Sequence, residues 1–173
     1  MLHAEAPTTD EPASISDDLG SFAHAWDTLD LEEVRRIMPN NLVWQLTMPT
    51  KDPSVLDKRR EIRQYWENQY GKVLSNTATV KEVNEYYAHQ QQRSADYIEF
   101  TSYILDNHGS ELREQDANLL QIARTLHMAR IEEIPRHQAE ALARREAHAK
   151  AREAWKADQK RFEGEAPQDR ETE

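Results

Sequence analysis

Large apolar residues are concentrated between positions 19 and 136, and this concentration decides where the chain can form a core. A segment without such residues buries too little surface to offset the entropy lost on ordering. We therefore predict a single domain over residues 19–136, which suits a chain of 173 residues. The flanks are predicted to be a disordered acidic leader (1–18), a charged C-terminal helix (137–163) and a disordered tail (164–173).

The chain carries a formal net charge of −10, from 22 Lys or Arg and 32 Asp or Glu. Nucleic acids and anionic membrane surfaces are themselves negative, so we expect neither as a partner. No apolar run is long enough to span a membrane, and the N-terminus lacks the basic residues of a targeting peptide. Cysteine is absent, which excludes disulfides and thiolate chemistry. These features predict a cytoplasmic protein.

The spacing of apolar residues indicates three helices in the first half of the domain. Residues 19–29 place apolar side chains three or four positions apart, and residues 31–37 do the same after Asp30, a candidate N-cap. A third helix is predicted after Asp57. One face of it is formed by Ile62, Trp66, Tyr70 and Val73.

From Leu42 the pattern alternates, which predicts a first strand over residues 42–48. Residues rich in Val, Ile, Thr, Tyr and Phe then predict four longer strands. These are residues 76–91, 96–105, 111–124 and 127–134, with a hairpin turn at 106–109. Helices followed by hairpin-linked strands indicate an α+β domain. We expect the three helices to pack on a curved antiparallel sheet that encloses an apolar cavity.

Three segments carry a resemblance to a known family. They are residues 22–34, residues 40–44 (Asn-Asn-Leu-Val-Trp) and residues 60–66 (Arg-Glu-Ile-Arg-Gln-Tyr-Trp). In this order they resemble the SnoaL-like domain of the nuclear transport factor 2-like (NTF2-like) superfamily, over about residues 19–136. The resemblance implies a cone-shaped fold and a homodimer formed through the outer face of the sheet, here the side of Val43, Gln45 and Thr47. That superfamily includes both enzymes and non-catalytic binders, so the fold leaves the activity open.

Four polar residues are the candidate catalytic groups of such a cone: Asp27, Glu99, Asn118 and Glu133. An apolar pocket would raise a carboxyl pKa, so that Asp27 or Glu133 could transfer a proton near neutral pH while Asn118 stabilises an oxyanion. Glu132 and Glu133 are adjacent on a predicted strand, so one of them points into the cavity and the other points outward. The sequence does not show which of the two points inward. The substrate-binding wall is predicted to be formed by Phe22, Trp26, Trp44, Leu46, Trp66, Tyr97, Leu120 and Ile131.

The catalytic sets of the family are incomplete in this chain. The position of the basic aspartate of ketosteroid isomerases holds Leu46, which cannot accept a proton. The histidines show no metal-ligand spacing, so we expect no metal and no other cofactor. The favoured function is a cofactor-independent cyclase, dehydratase or isomerase acting on a small hydrophobic, oxygenated metabolite of polyketide or terpenoid type.

Two alternatives remain. The first is a non-catalytic module that binds a ligand or another protein, with the long C-terminal helix as the interaction element. The second is the small subunit of a ring-hydroxylating dioxygenase, which is disfavoured because its Arg-rich middle segment is not evident.

Overall fold

The computed structural model describes residues 23–164, with side chains from 25 to 162. These residues form six helices and no strand. The helices are α1 (Ala23–Thr28), α2 (Leu31–Ile37), α3 (Leu42–Leu46), α4 (Pro53–Leu74), α5 (Val80–His108) and α6 (Glu114–Gly164). The predicted α+β class is therefore wrong, and so is the NTF2-like cone with its curved sheet.

The long helices α5 and α6 form an antiparallel pair, and α4 packs against both. The Gln138 side chain on α6 donates a hydrogen bond to the Asn84 side chain near the start of α5, at 2.8 Å. Further along α6, Nε of Arg145 donates to the carbonyl of Ala78, just before α5 begins, at 2.8 Å. Residues of α6 beyond Arg145 therefore extend past the start of α5.

Local capping explains where α4 and α5 begin. The Asp52 side chain accepts from the backbone N–H of Ser54 at 2.9 Å, and Pro53 occupies the first helical position, where its missing N–H costs nothing. Thr79 and Glu82 form a capping box at the start of α5: each side chain accepts from the other residue's backbone N–H.

The first apolar core lies where the short helices α1 to α3 cover the C-terminal half of α5 and the start of α6. At its centre the Phe100 ring contacts Trp26 at 5.7 Å and Trp44 at 5.4 Å between ring centroids. Leu120 of α6 is fully buried in the same cluster. This core therefore holds the N-terminal segment on the α5–α6 pair.

A second core joins the end of α4 to the first half of α5 and the middle of α6. Its buried members are Val73, Ala78, Val83, Tyr86, Tyr87, Ile134 and Ala141. Because α5 and α6 run through both cores, the two clusters belong to one continuous helix interface.

All the predicted strands are helical or lie in turns between helices. The segment 42–48 contains α3, and the four longer segments fall mainly in α5 and α6. In α5 the inward positions recur every three or four residues, but Ser94 and Thr101 occupy two of them and interrupt the apolar pattern. The many aromatic and β-branched residues favoured strands, yet such propensities are weak and burial between helices overrides them. The strand prediction failed for this reason.

The chain reversal predicted at residues 106–109 lies slightly later, after His108, and joins two helices instead of two strands. Residues 137–163, predicted as a separate C-terminal helix, are the second half of α6. The predicted domain boundary at residue 136 falls inside this helix, which continues through Pro135. The prediction of α2 is confirmed, including Asp30 as its N-cap.

Candidate functional site

A polar layer separates the two apolar cores, and we define it by Arg93, Ser94 and Tyr97 on α5 together with His127 and Arg130 on α6. Ser94 and His127 are each only 1% exposed. Nδ1 of His127 lies 3.3 Å from the Ser94 hydroxyl oxygen, and the Tyr97 ring stacks on the imidazole at 4.3 Å. Nε2 of His127 is buried without a hydrogen-bond partner among the described residues.

The electrostatics of the polar layer keep its imidazole neutral. Burial, together with the positive charges of Arg130 and Arg93, lowers the pKa of His127 to about 4. Burial, and to a smaller extent the positive charge of Arg93, also lowers the pKa of His89 to about 4. His89 lies one turn before Arg93 and stacks on Trp66 of α4 at 3.8 Å, so the layer extends to a third helix.

Arg93 adjoins Ser94 on α5 and Arg130 lies three residues after His127 on α6, so the two arginines flank the Ser94–His127 contact. Burial and the charge of Arg93 both lower the pKa of Arg130. Both side chains are partly buried, and within the described region neither has a carboxylate oxygen within 4 Å of its nitrogens. The layer therefore contains two cations that no carboxylate of the described region neutralises.

The His127–Ser94 pair has the composition of a base next to a hydroxyl nucleophile. Both side chains are almost completely buried between helices, so a substrate in solvent has no route to the hydroxyl. The pair therefore supports packing specificity at the helix interface better than it supports catalysis. No group of three potential His, Asp or Glu metal ligands occurs in the described part of the chain.

The exposed end of α6 is the second candidate site. Every seventh residue from Leu120 forms a stripe that drifts slowly around the helix, by about 20° per heptad. Its members are Leu120, His127, Ile134, Ala141, His148, Trp155 and Phe162. The first four are buried against α5 or its neighbours, whereas Trp155 is 60% exposed and Phe162 is 74% exposed. We call residues 150–162, all of which are exposed, the arm.

The arm differs in charge from the rest of the protein. It carries five Lys or Arg and two Asp or Glu, a net charge of +3, in a chain whose net charge is −10. Of these cations, Arg152, Lys160 and Arg161 have no carboxylate within 4 Å among the described residues. The arm thus combines two exposed aromatic side chains with unneutralised positive charge.

The predicted catalytic residues do not converge. Asp27 on α1, Asn118 on α6 and Glu133 on α6 are all exposed. The Glu133 carboxylate pairs with Arg136, and this contact lowers the pKa of Glu133, which is opposite to the rise expected in an apolar pocket. Glu132 is exposed as well, so neither glutamate is buried. The catalytic roles of these residues stay predictions.

Glu99 has a structural contact, since its carboxylate accepts a hydrogen bond from the Asn41 amide at 3.0 Å. Asn41 also donates to the Asp96 carbonyl at 2.8 Å, and the Asp96 carboxylate accepts from the backbone N–H of Leu42 at 2.8 Å. These bonds fasten the start of α3 to α5.

The predicted substrate wall is divided between different parts of the structure. Trp26, Trp44, Tyr97 and Leu120 belong to the first core or its edge, and Trp66 packs against the second. Leu46 and Ile131 are partly buried on α3 and α6, and Phe22 lies outside the described residues. Val43, Gln45 and Thr47 were predicted to form a dimer interface on the outer face of a sheet. Val43 and Gln45 lie on the helix α3 instead, so this sheet face does not form.

Sequence reasoning missed Arg93, Ser94, Arg130 and the central role of His127. The signal that could have located His127 is the seven-residue repeat, because it lies midway between Leu120 and Ile134. Trp155 and Phe162 are later positions of the same seven-residue repeat.

No helix in the described part of the chain is long and apolar enough to cross a membrane, and the cytoplasmic location stays a prediction. Comparison with known proteins finds no match to a family model, to a curated protein or to a solved structure.

Proposed function

We propose that this chain is a non-catalytic protein-interaction module whose arm packs against an amphipathic helix with acidic flanks on a partner protein. The observation that carries the proposal is the continuation of the buried seven-residue repeat of α6 onto the exposed residues Trp155 and Phe162. A partner helix packed on the arm would extend the same kind of interface that α5 makes with α6.

The aromatic residues supply the apolar part of this surface. Trp155 and Phe162 are seven residues apart, hence on one face of the helix about two turns from each other. Large aromatic side chains contribute most of the binding energy when an interface buries them.

The charge of the arm determines which partner it favours. Lys and Arg beside the aromatic stripe attract a helix whose flanking positions carry Glu or Asp. A second copy of the chain would bring another arm of +3 against the first, and the two would repel. An acidic partner is therefore favoured over self-association.

The arm forms without a partner because it continues a longer helix. Helix propagation adds one hydrogen bond per residue after nucleation, and Ala151, Ala154 and Ala157 have the most favourable helix propensity. The surface is thus preorganised for docking, which reduces the entropy cost of binding.

A designed pair of peptides tests this proposal. One is an amphipathic helical peptide with a Leu stripe flanked by Glu, and the other has Lys in place of each Glu. We expect saturable binding of the acidic peptide, a blue shift of Trp155 fluorescence, and weakening by salt. The Trp155→Ala/Phe162→Ala double variant should lose binding, whereas Met128→Ala, an exposed apolar residue elsewhere on α6, should bind normally.

Several outcomes would contradict the proposal. They are equal binding of both peptides, unchanged binding by the double variant, or concentration-dependent dimerisation that the double variant abolishes. Binding to vesicles with anionic lipid, without binding to the acidic peptide, would assign the arm to a membrane surface instead.

A further inference from the structure

We propose that the polar layer binds a small oxyanion, a phosphate or a carboxylate, between the guanidinium groups of Arg93 and Arg130. This site is separate from the arm and does not depend on the function proposed for it. The inference rests on the pairing of the arginines, on the unsatisfied donors beside them and on the charge of the surrounding chain.

Elsewhere in the described structure, several arginines have carboxylate partners. Arg113 pairs with Asp116 at 2.7 Å, and Arg136 pairs with Glu133 and with Glu140. The chain has ten more acidic than basic residues, so carboxylates are plentiful. Arg93 and Arg130 have no such partner among the described residues although both are partly buried, so no carboxylate offsets the cost of their desolvation. An anion between them would remove their mutual repulsion and recover the cost of their desolvation.

The neighbouring polar atoms supply hydrogen-bond donors. Among the residues that the structure describes, Nε of Arg93 has no hydrogen-bond partner and is buried, and the same is true of Nε2 of His127. When the Ser94 hydroxyl donates to Nδ1 of the neutral imidazole, Nε2 carries the proton and becomes a donor. A site composed of guanidinium and imidazole N–H groups favours an acceptor with several oxygens.

The chemistry of the cluster selects an oxyanion over a metal or a nucleic acid. Guanidinium groups form paired, charge-assisted hydrogen bonds with phosphate and carboxylate oxygens. Metal cations are repelled by two arginines. A long polyanion would be repelled by the net charge of −10 on the whole chain.

Arg93 lies one turn after His89, which stacks on Trp66 of α4. Arg93 and Arg130 are intermediate in exposure, so part of each side chain is open to solvent, whereas an ion that contacts Nε2 of His127 must enter between the helices. An ion bound there would link α5 to α6 midway between the two cores and would stabilise the folded state.

Titration with inorganic phosphate and, separately, with succinate tests the proposal on the full chain. Sodium chloride keeps the ionic strength constant. Calorimetry should show saturable binding, and the melting temperature should rise with the anion that binds. Binding raises the pKa of His127, because a negative charge favours the imidazolium, and NMR titration of the imidazole measures this change. Comparison of the phosphate titration with the succinate titration shows whether the site binds a phosphate or a carboxylate.

Variants separate binding from folding. Arg93→Gln and Arg130→Gln should each weaken binding by about 10- to 100-fold, the loss expected for a charge-assisted hydrogen-bonding group. Without the anion these two variants should melt at the same or a higher temperature than the wild type, because the repulsion is removed. Arg93→Lys keeps the charge but loses the planar fork, so it should bind with intermediate affinity.

Arg35→Gln, at an exposed position on α2 outside both the polar layer and the arm, is the matched control and should leave binding unchanged. The proposal is overturned when neither anion binds saturably, or when both variants respond to the anions as the wild type does. It is also overturned when the variants unfold at lower temperature without the anion and the His127 pKa stays constant on titration.

Discussion

Individual polar side chains at buried positions decide how α5 and α6 fit together. Ser94 and His127 face each other where apolar residues would pack equally well. A buried polar pair is satisfied only in one alignment of the helices, because sliding either helix leaves the donor and acceptor unpaired. We infer that the pair favours the observed register of α5 against α6.

The depressed pKa values of His127 and His89 make stability depend on pH. Both groups titrate near 4 in the folded state and near the ordinary value of 6.5 when unfolded. Between these values the unfolded chain binds more protons, so stability decreases as pH falls from 6.5 to 4. Thermal unfolding should show a lower melting temperature at pH 4.5 than at pH 7, and the His127→Gln variant should show a smaller decrease.

His148 on α6 is exposed and provides the control for this experiment. The His148→Gln variant should keep the full decrease of the wild type. An identical decrease in the His127→Gln variant would mean that this imidazole is not responsible for it.

Asn41 is predicted to be important for stability, because it is buried and bonded three times. Its amide donates to the Asp96 carbonyl and to Glu99, and its side-chain oxygen accepts from the Val43 N–H. The Asn41→Ala substitution should lower the free energy of unfolding by about 1–3 kcal/mol, since it leaves buried groups unpaired. Urea denaturation measures the loss. Asn40→Ala, at the exposed neighbouring position, should change it by less than about 0.5 kcal/mol.

At the scale of elements, the capping residues mark where the helices begin more clearly than the spacing of apolar residues does. Asp30, Asn41, Asp52 and Thr79 all cap helices through side-chain oxygens. The turn between α4 and α5 also needs Asn76 at φ 56°, in the left-handed region that asparagine tolerates better than most residues. Local chemistry thus sets the helix starts, and packing sets which face of each helix is buried.

The contribution of the α5 capping box to the stability of the protein can be measured. Thr79→Ala removes the acceptor for the Glu82 N–H and should destabilise the protein by about 1 kcal/mol. The control is Thr125→Ala in the interior of α6, where the hydroxyl only bonds back to the Gln121 carbonyl. That change should be neutral or slightly stabilising in chemical denaturation. Equal effects of the two substitutions would contradict a capping role for Thr79.

At the scale of the whole molecule, α5 and α6 connect two cores that are separated by the polar layer. Loss of packing in either core removes contacts that stabilise both α5 and α6. We therefore expect the described region to unfold in one cooperative transition.

Substitutions in each core test this cooperativity. Phe100→Ala in the first core should cost about 3–5 kcal/mol, and Ile134→Ala in the second about 2–5 kcal/mol. Far-UV circular dichroism and tryptophan fluorescence should report the same midpoint for each variant. Ile122→Ala, an exposed position on α6, is the control and should have little effect. Separate transitions by the two probes would show that the cores fold independently.

The local features of this protein can be predicted from its sequence. Asp30 as a cap, the apolar face of α4 from Ile62 to Val73 and a helical, charged C-terminal segment all follow from side chains within a few positions of one another. Capping and helical spacing are short-range effects, so a single chain reveals them.

The fold class and the location of the polar layer depend on contacts between residues that are far apart in the sequence. Residues 80–108 combine β-branched and aromatic side chains with Ser94 and Thr101 at buried positions, so their local preference indicates strands. Antiparallel packing of α5 on α6 buries these side chains together and outweighs that preference. Arg93 and Arg130 are 37 residues apart in sequence, and the packing of α5 on α6 brings both to the Ser94–His127 contact.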